Sequence, residues 1–245
     1  MFAGFYEWVR YRLPAALRLV APHSVRYKSF SLKNDEEFGK YNEARARHPV
    51  KLVLLDWLRH EALLGPKFSI LDVGCGPGVF TAALFADPEI RERIEYTGVD
   101  QSERAIEYAG KTWPQARFER RDILQAGLPE RDFDVIMINE VVEHLPDFSR
   151  AIDIAVARKP KIFVLTAFAV LPELGRHRVR WSPHGECYMN SYAWSKVHAK
   201  LRGVAAHRPL LMVDLGSHDF DRHWFPKKAM SMFYLRLGAE TSQII

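Results

Sequence analysis

The sequence predicts an α/β protein: a mostly parallel, seven-stranded sheet with helices on both faces and an antiparallel hairpin at its C-terminal end. Three observations carry this. Between Phe68 and Val170, short apolar runs rich in strand formers alternate with segments of helical period, the order that builds βαβ units. The first run ends in a glycine turn, Asp72-Val73-Gly74-Cys75-Gly76-Pro77-Gly78, that leads straight into a helical segment. The last two runs have no helical segment between them, and two strands without a crossover helix pair antiparallel.

The elements follow in order. Leu52, Leu55, Leu58 and Leu63 recur at near-helical spacing, so residues 50–64 read as a helix stopped by Gly65-Pro66. FSILDV (68–73) is the first strand, and VFTAALFA (79–86) the helix after the glycine turn. IEYTGVD (94–100) is the second strand, followed by a helix over 102–112 with Ser102 as its N-cap. ARFERRDI (116–123) is the third strand, and FDVIMIN (133–139) the fourth, apolar enough to be buried on both faces. A helix over 146–158 and a fifth strand over 161–170 complete the alternation. Residues 172–190 are polar, rich in Arg and His, and without period; 191–201 reads as a helix, and 209–215 and 230–237 as the closing strands. There is no internal repeat and no low-complexity stretch.

The chain of 245 residues is long enough for one large core, and 48% hydrophobic with 27% charged residues is the composition of a folded globular protein. A net charge of +5 permits an anionic partner without requiring one. Of the two cysteines, Cys75 and Cys187, one lies inside the glycine turn, so no structural disulfide is expected and the cytoplasm is the natural compartment. No segment approaches the roughly 20 apolar residues of a membrane span, and the N-terminus lacks the pattern of a secretory signal. Its first 22 residues mix Phe2, Phe5, Trp8, Val9, Leu13 and Leu17 with Arg10, Arg12 and Arg18. They read as a cap helix broken near Pro14, with a membrane-surface helix, and so peripheral membrane contact, as the alternative. The expected organisation is a helical, acceptor-side cap over 1–50 and a main domain over 51–245, with an insertion at 171–194.

A turn from a strand into a helix N-terminus aims backbone N–H groups and partial positive charge at a ligand. The spacing here, D-x-G-x-G-x-G, is neither the G-x-G-x-x-G of dinucleotide sites nor a phosphate-cradling P-loop, which needs a Lys-Ser or Lys-Thr. A carboxylate two residues before the first glycine suits a ligand bearing an ammonium group, such as the methionine part of S-adenosylmethionine, better than a pyrophosphate. In these features the sequence resembles the class I S-adenosylmethionine-dependent methyltransferases, of small-molecule type and close in pattern to the ubiquinone-pathway O-methyltransferase group. The resemblance covers about residues 64–170 and implies a Rossmann-like fold with S-adenosylmethionine as cofactor. It implies that Asp72, Gly74, Cys75, Gly76 and Gly78 cradle the ligand and that Asp100 accepts both ribose hydroxyls, with Gln101 lining the same pocket. It further implies that Asp122 receives the adenine amine, that Ile123 contacts the ring, and that Asn139 and Glu140 pass under the methionine part. An acid at the position of Asp100 is shared with NAD sites, so it does not decide by itself.

Glu140, Glu143 and His144 stand at i, i+3 and i+4, and one helical turn would gather all three on one face. There they could ligate a divalent metal: Mg²⁺ or Mn²⁺ through the oxygens, or Zn²⁺. The E-x-x-E-H pattern is similar to that of the ubiquinone-pathway enzymes. It is also similar to that of small-RNA 3′-terminal 2′-O-methyltransferases, in which a further histidine completes a metal site. Metal-free small-molecule methyltransferases carry a similar stretch, and the metal-free reading is the one carried forward. His144 and Glu143 are then the candidate catalytic residues, with His144 as general base because an imidazole of ordinary pKa, about 6.5, accepts a proton at neutral pH. A packed, structural histidine is the alternative.

The acceptor side is assigned to residues 25–50 and 171–194. Arg176, Arg178 and Arg180 alternate with His177, Val179 and Trp181, so an extended chain puts the three arginines on one side, facing an anion or solvent. Arg178, Trp181, His184 and Tyr188 are the candidate substrate residues; Trp181, His184, Tyr188 and Trp194 could instead line a pocket for a sugar or aromatic acceptor. Tyr27 and Tyr41 are candidates to close over the cofactor. The expected reaction is methyl transfer to an oxygen of a small-molecule, lipid-linked or glycan acceptor. Nucleic acid is not expected, for there is no appended binding module and no long basic run. The alternatives are a metal-dependent RNA ribose 2′-O-methyltransferase and a protein that binds S-adenosylmethionine without turnover.

Overall fold

The computed structural model describes residues 34–46, 49–61, 64–145, 147–167, 170–171, 181–182, 187–188, 190–205, 210–214 and 231–237. The helices are α1 (Asp35–Ala46), α2 (Pro49–His60), α3 (Val79–Ala86), α4 (Pro88–Arg93), α5 (Glu103–Thr112), α6 (Ile123–Ala126), α7 (Phe148–Ala157) and α8 (Trp194–Ala205). Five parallel strands form the centre of the sheet: β1 (Phe68–Val73), β2 (Ile94–Asp100), β3 (Arg117–Arg120), β4 (Val135–Asn139) and β5 (Ile162–Ala167), in the spatial order β3-β2-β1-β4-β5. Four two-residue strands follow in the chain. β6 (Val170–Leu171) pairs parallel with β9 (Tyr192–Ala193), and β7 (Trp181–Ser182) pairs antiparallel with β8 (Cys187–Tyr188). The closing pair, β10 (Leu210–Asp214) and β11 (Ser231–Arg236), extends the central sheet antiparallel beyond β5. The α/β, Rossmann-like class read from the sequence is the one observed.

Side chains on neighbouring strand positions face opposite sides of the sheet, and here they fill two separate cores. Leu71, Val73, Ile136, Ile138, Phe163 and Leu165 pack with α7 and α8 on one side. Ile70, Met137, Val135, Ile162 and Val164 pack with α2 and α3 on the other. Helix α2 buries Lys51, Leu54, Leu55 and Leu58, whereas Leu52 is 53% exposed. The buried stripe of α2 therefore runs one residue out of phase with a reading that begins at Leu52.

Several boundaries differ from the sequence expectation for identifiable reasons. Strand β3 stops at Arg120 because the Asp122 carboxylate accepts a hydrogen bond from the Leu124 N–H and caps α6. The fifth strand ends at Ala167, and Val170–Leu171 pairs instead with Tyr192–Ala193, which also delays the start of α8 to Trp194. Helix α4 was not expected, although Asp87-Pro88-Glu89 is a cap followed by a proline at the first helical position. Helix α1 begins at an Asn34 cap, whose side-chain oxygen accepts from the Glu37 N–H at 2.9 Å, and packs on α3 and α5. Among the described residues no helix is long and apolar enough to cross a membrane.

Candidate functional site

Strand order reverses between β1 and β4, and open α/β sheets bind ligands outside the carboxyl ends of strands at such a point. The glycine turn lies there. Gly74 and Cys75 donate their N–H groups to the Val99 carbonyl at 2.7 and 3.1 Å, fastening the turn to β2. Gly78 has φ +84°, and a β-carbon on it would lie 2.3 Å from the Trp113 ring, so this glycine is required by packing as well as by backbone conformation. Gly76 differs: at φ +54°, its β-carbon would meet nothing within 4 Å. The turn thus has open space at Gly76 that could take a ligand. Cys75 turns away from it, since its Sγ would stand 2.7 Å from a β-carbon on Gly98, and burial pushes the thiol well above its ordinary range. Only its backbone is offered to a ligand.

The period-two alternation places Asp72 of β1, Asn139 of β4 and Thr166 of β5 on the α2 side of the sheet, at the ends of adjacent strands. They form a polar row. Asn139 Nδ2 donates to Asp72 Oδ1 at 3.5 Å, and Thr166 Oγ1 donates to Asn139 Oδ1 at 3.2 Å. The Tyr96 hydroxyl donates to Asp72 Oδ2 at 2.6 Å. Burial raises the Asp72 pKa to about 6, against the opposing pull of the Tyr96 hydrogen bond, the Lys51 charge and Asn139. Glu140 follows β4 in the left-handed region at φ +53°, with its N–H donated to the Thr166 carbonyl at 3.0 Å. A non-glycine residue held there stores strain, a feature that clusters at functional sites. Its carboxylate meets Lys51 Nζ and an Arg45 guanidinium nitrogen, each at 3.4 Å. Two largely buried cations thus share the site with Glu140 and Asp72.

Asp100 closes the other side of the turn. Its Oδ2 accepts from the Gly76 N–H at 3.0 Å and its Oδ1 from the Ser102 N–H at 2.8 Å. Each carboxylate oxygen can accept a further bond, which leaves room for a diol. Burial raises the Asp100 pKa, with the N–H groups of Ser102, Gly76 and Gln101 opposing it. Gln101 and Asp122 are partly exposed and Ile123 is buried, all at the ends of β2 and β3. Tyr41 on α1 lies beneath the Arg45 guanidinium, 5.4 Å from the ring centroid. Burial raises its pKa; the Arg45 charge opposes this, and Glu140 and Asp100 add to it. Its neighbour Asn42, also buried, donates Nδ2 to the Pro77 carbonyl at 2.8 Å, so α1 is fastened onto the glycine turn itself.

The segment after β4 corrects one expectation. Only Val142–His144 is helical, as a single 3₁₀ turn, and Glu140 lies outside it in the left-handed conformation. The three side chains therefore do not share a helical face: Glu140 is engaged by Arg45 and Lys51, and Glu143 is fully buried. Among the described residues no three or more His, Cys, Asp or Glu side chains are grouped to hold a metal ion. The helical face on which that metal reading rested is therefore not formed.

On the acceptor side, Trp181 and Tyr188 stand directly opposite each other in the β7–β8 pair. Arg176, Arg178, Arg180, His184 and Tyr27 lie outside the described residues. Trp194 stacks on His198, with ring centroids 4.7 Å apart, and packs against the core. Sequence reasoning missed Lys51, Arg45, Tyr96, Asn42 and Thr166. Lys51 had left a signal: it occupies the first position of the i, i+3, i+4, i+7 stripe that Leu54, Leu55 and Leu58 complete.

A family profile described as a methyltransferase domain matches residues 64–207, more than half of the chain. The chain belongs to this methyltransferase family. The methyltransferase is a class I enzyme with S-adenosylmethionine as its cofactor. A ubiquinone biosynthesis O-methyltransferase of Ralstonia nicotianae is 26% identical over 208 residues, covering 83% of this chain and 75% of that one. Another of the same name, from Leptothrix cholodnii, is 29% identical over 113 residues, or 43% of this chain; the match spans under half, 46%, of that relative's length. A S-adenosylmethionine-dependent methyltransferase from Mesorhizobium loti has the same fold, with a TM-score of 0.54 at 14% identity over 80% of this chain and 99% of that one. The residues present fit the cofactor: an open cradle at Gly76, a carboxylate at each end of the turn, and two cations beside Glu140.

Proposed function

We propose that this methyltransferase carries the methyl group to an oxygen of a small-molecule, lipid-linked or glycan acceptor, with His144 as the general base. The observation that carries the reading is the turn bearing His144, seated next to Glu140 and Val141 at the ends of β4 and the cofactor cradle. The oxygen acceptor is supported by the names of the two ubiquinone-pathway relatives. Bound S-adenosylmethionine supplies a sulfonium-activated methyl group, so the chain's main tasks are alignment and removal of the acceptor's proton. In this reading Asp72 faces the ligand's ammonium group, Lys51 and Arg45 face its carboxylate, and Asp100 accepts from the ribose hydroxyls. Asp122 and Ile123 bound the adenine side. His144 is partly exposed and takes the proton, with the fully buried Glu143 of the same turn as the second catalytic candidate.

Residues 1–50 and 171–194 form the acceptor side in this reading, with Arg178, Trp181, His184 and Tyr188 as its contact residues. The amphipathic N-terminal segment would bring the enzyme to a membrane surface if the acceptor is lipid-linked. The test is incubation of the enzyme with methyl-radiolabelled S-adenosylmethionine and fractionated cell extract. Label should enter a low-molecular-weight or lipid fraction in base-stable form, as an ether does, and His144→Gln should slow it about a hundredfold. Label in RNA or protein alone, or undiminished transfer by His144→Gln, would contradict the proposal.

A further inference from the structure

The 3₁₀ turn that carries Glu143 and His144 is closed by bonds from His144 N–H to the Val141 carbonyl at 2.8 Å and from Leu145 N–H to the Val142 carbonyl at 3.1 Å. A one-turn helix leaves carbonyls at its end open to further partners. Those partners come from 45 or more residues further along the chain. The Asn190 N–H donates to the Glu143 carbonyl at 2.8 Å, and Asn190 Nδ2 donates to the Leu145 carbonyl at 2.8 Å. The Tyr192 hydroxyl lies 2.7 Å from the Val142 carbonyl and 2.9 Å from that of Leu145, and 3.1 Å from Asn190 Nδ2.

The protons account for one arrangement. An amide nitrogen has two hydrogens and a phenol has one. Asn190 Nδ2 therefore serves the Leu145 carbonyl with one hydrogen and the Tyr192 oxygen with the other, which leaves the phenol proton for Val142. The carbonyls of Val142, Glu143 and Leu145 then each accept from Asn190 or Tyr192, through two side chains and one backbone amide. Asn190 is fully buried, Tyr192 nearly so, and the Tyr192 ring packs on Phe148 at 4.7 Å. Buried groups of this kind are costly to leave unpaired, so the circuit holds the turn in one geometry.

The location gives this more than a packing role. Tyr192 also belongs to β9, which pairs with β6 immediately after β5. Asn190 and Tyr192, just before and at the start of β9, thus bond the turn that carries His144. We propose that Asn190 and Tyr192 are positioning residues for methyl transfer: they lock the His144 turn and tie it to β9. The proposal rests on the reading of His144 as the base.

Tyr192→Phe removes one hydroxyl and keeps the ring on Phe148. In the full chain it should speed amide hydrogen exchange at His144 and Leu145 about tenfold, with exchange in β1 unchanged. With the extract fraction that accepts label as methyl acceptor, kcat should fall about tenfold, as misplacement of a catalytic group by a fraction of an ångström does. The dissociation constant for S-adenosylhomocysteine should stay within about twofold. Unchanged exchange at the turn, or kcat falling only in step with cofactor affinity and melting temperature, overturns the proposal. His144→Gln run in parallel separates the two claims. Normal transfer by that variant removes the base assignment and leaves the clamp to be judged by exchange and by the kcat of Tyr192→Phe.

Discussion

Replacing Gly76 by alanine should separate binding from folding more sharply than any other change in the glycine turn. At φ +54° an alanine pays the left-handed penalty, about 1 to 2 kcal/mol, but its methyl meets no protein atom within 4 Å. For a chain of this size that lowers Tm by about 2 to 8 °C. Gly78→Ala carries the same penalty at φ +84° and drives a methyl to 2.3 Å from the Trp113 ring. Overpacking of that kind adds about 1 to 3 kcal/mol, for a total of about 2 to 5. The order reverses for the ligand. The Gly76 methyl occupies the cradle and should weaken S-adenosylhomocysteine binding by about tenfold or more. Thermal melts without ligand and isothermal titration with it measure the two effects on the same samples. The reasoning fails if Gly76→Ala binds normally, or if it unfolds as readily as Gly78→Ala.

Other outcomes follow from the charges. Asp72 has a pKa of about 6 in the folded, ligand-free chain, and an ammonium group needs its ionised form. Affinity for S-adenosylhomocysteine should therefore fall about tenfold between pH 7 and pH 5, and Asp72→Asn should flatten that profile at a lower affinity. A flat profile in the unaltered protein would contradict this. For folding the sign is opposite: a raised folded pKa stabilises fully below the unfolded value of 3.8, and that contribution is lost as pH rises through about 6. Lys51→Met should weaken S-adenosylhomocysteine about tenfold while leaving 5′-methylthioadenosine, which lacks the amino-acid part, unaffected. Equal weakening of both ligands would place Lys51 away from the carboxylate.

The parallel core of the fold was legible because strands buried on both faces leave continuous apolar runs. β1, β2 and the helix after the glycine turn lie where the sequence puts them. The positions of Asp72, Asp100 and Asp122 were legible for a related reason: they lie at or just after strand ends, where local pattern fixes position. Lys51, Arg45 and Tyr96 were not, since they reach the site from helices and from another strand, and only the packed fold brings them to Glu140 and Asp72. The turn after β4 was misread because helical spacing alone cannot register that Glu140 takes a positive φ. Likewise nothing in the sequence joins Asn190 to Glu143; their hydrogen bond depends on where the chain returns after its excursion from β5.

The central claim is that the glycine turn and Asp100 together hold the adenosine of S-adenosylmethionine. Isothermal titration of the full chain with S-adenosylhomocysteine tests it most directly, beside Asp100→Ala checked by melting for an intact fold. The account predicts one bound ligand per chain and a loss of about a hundredfold in affinity in the variant, the worth of two hydrogen bonds to a carboxylate. Binding that survives Asp100→Ala unchanged, or NAD bound in place of S-adenosylhomocysteine, would contradict it.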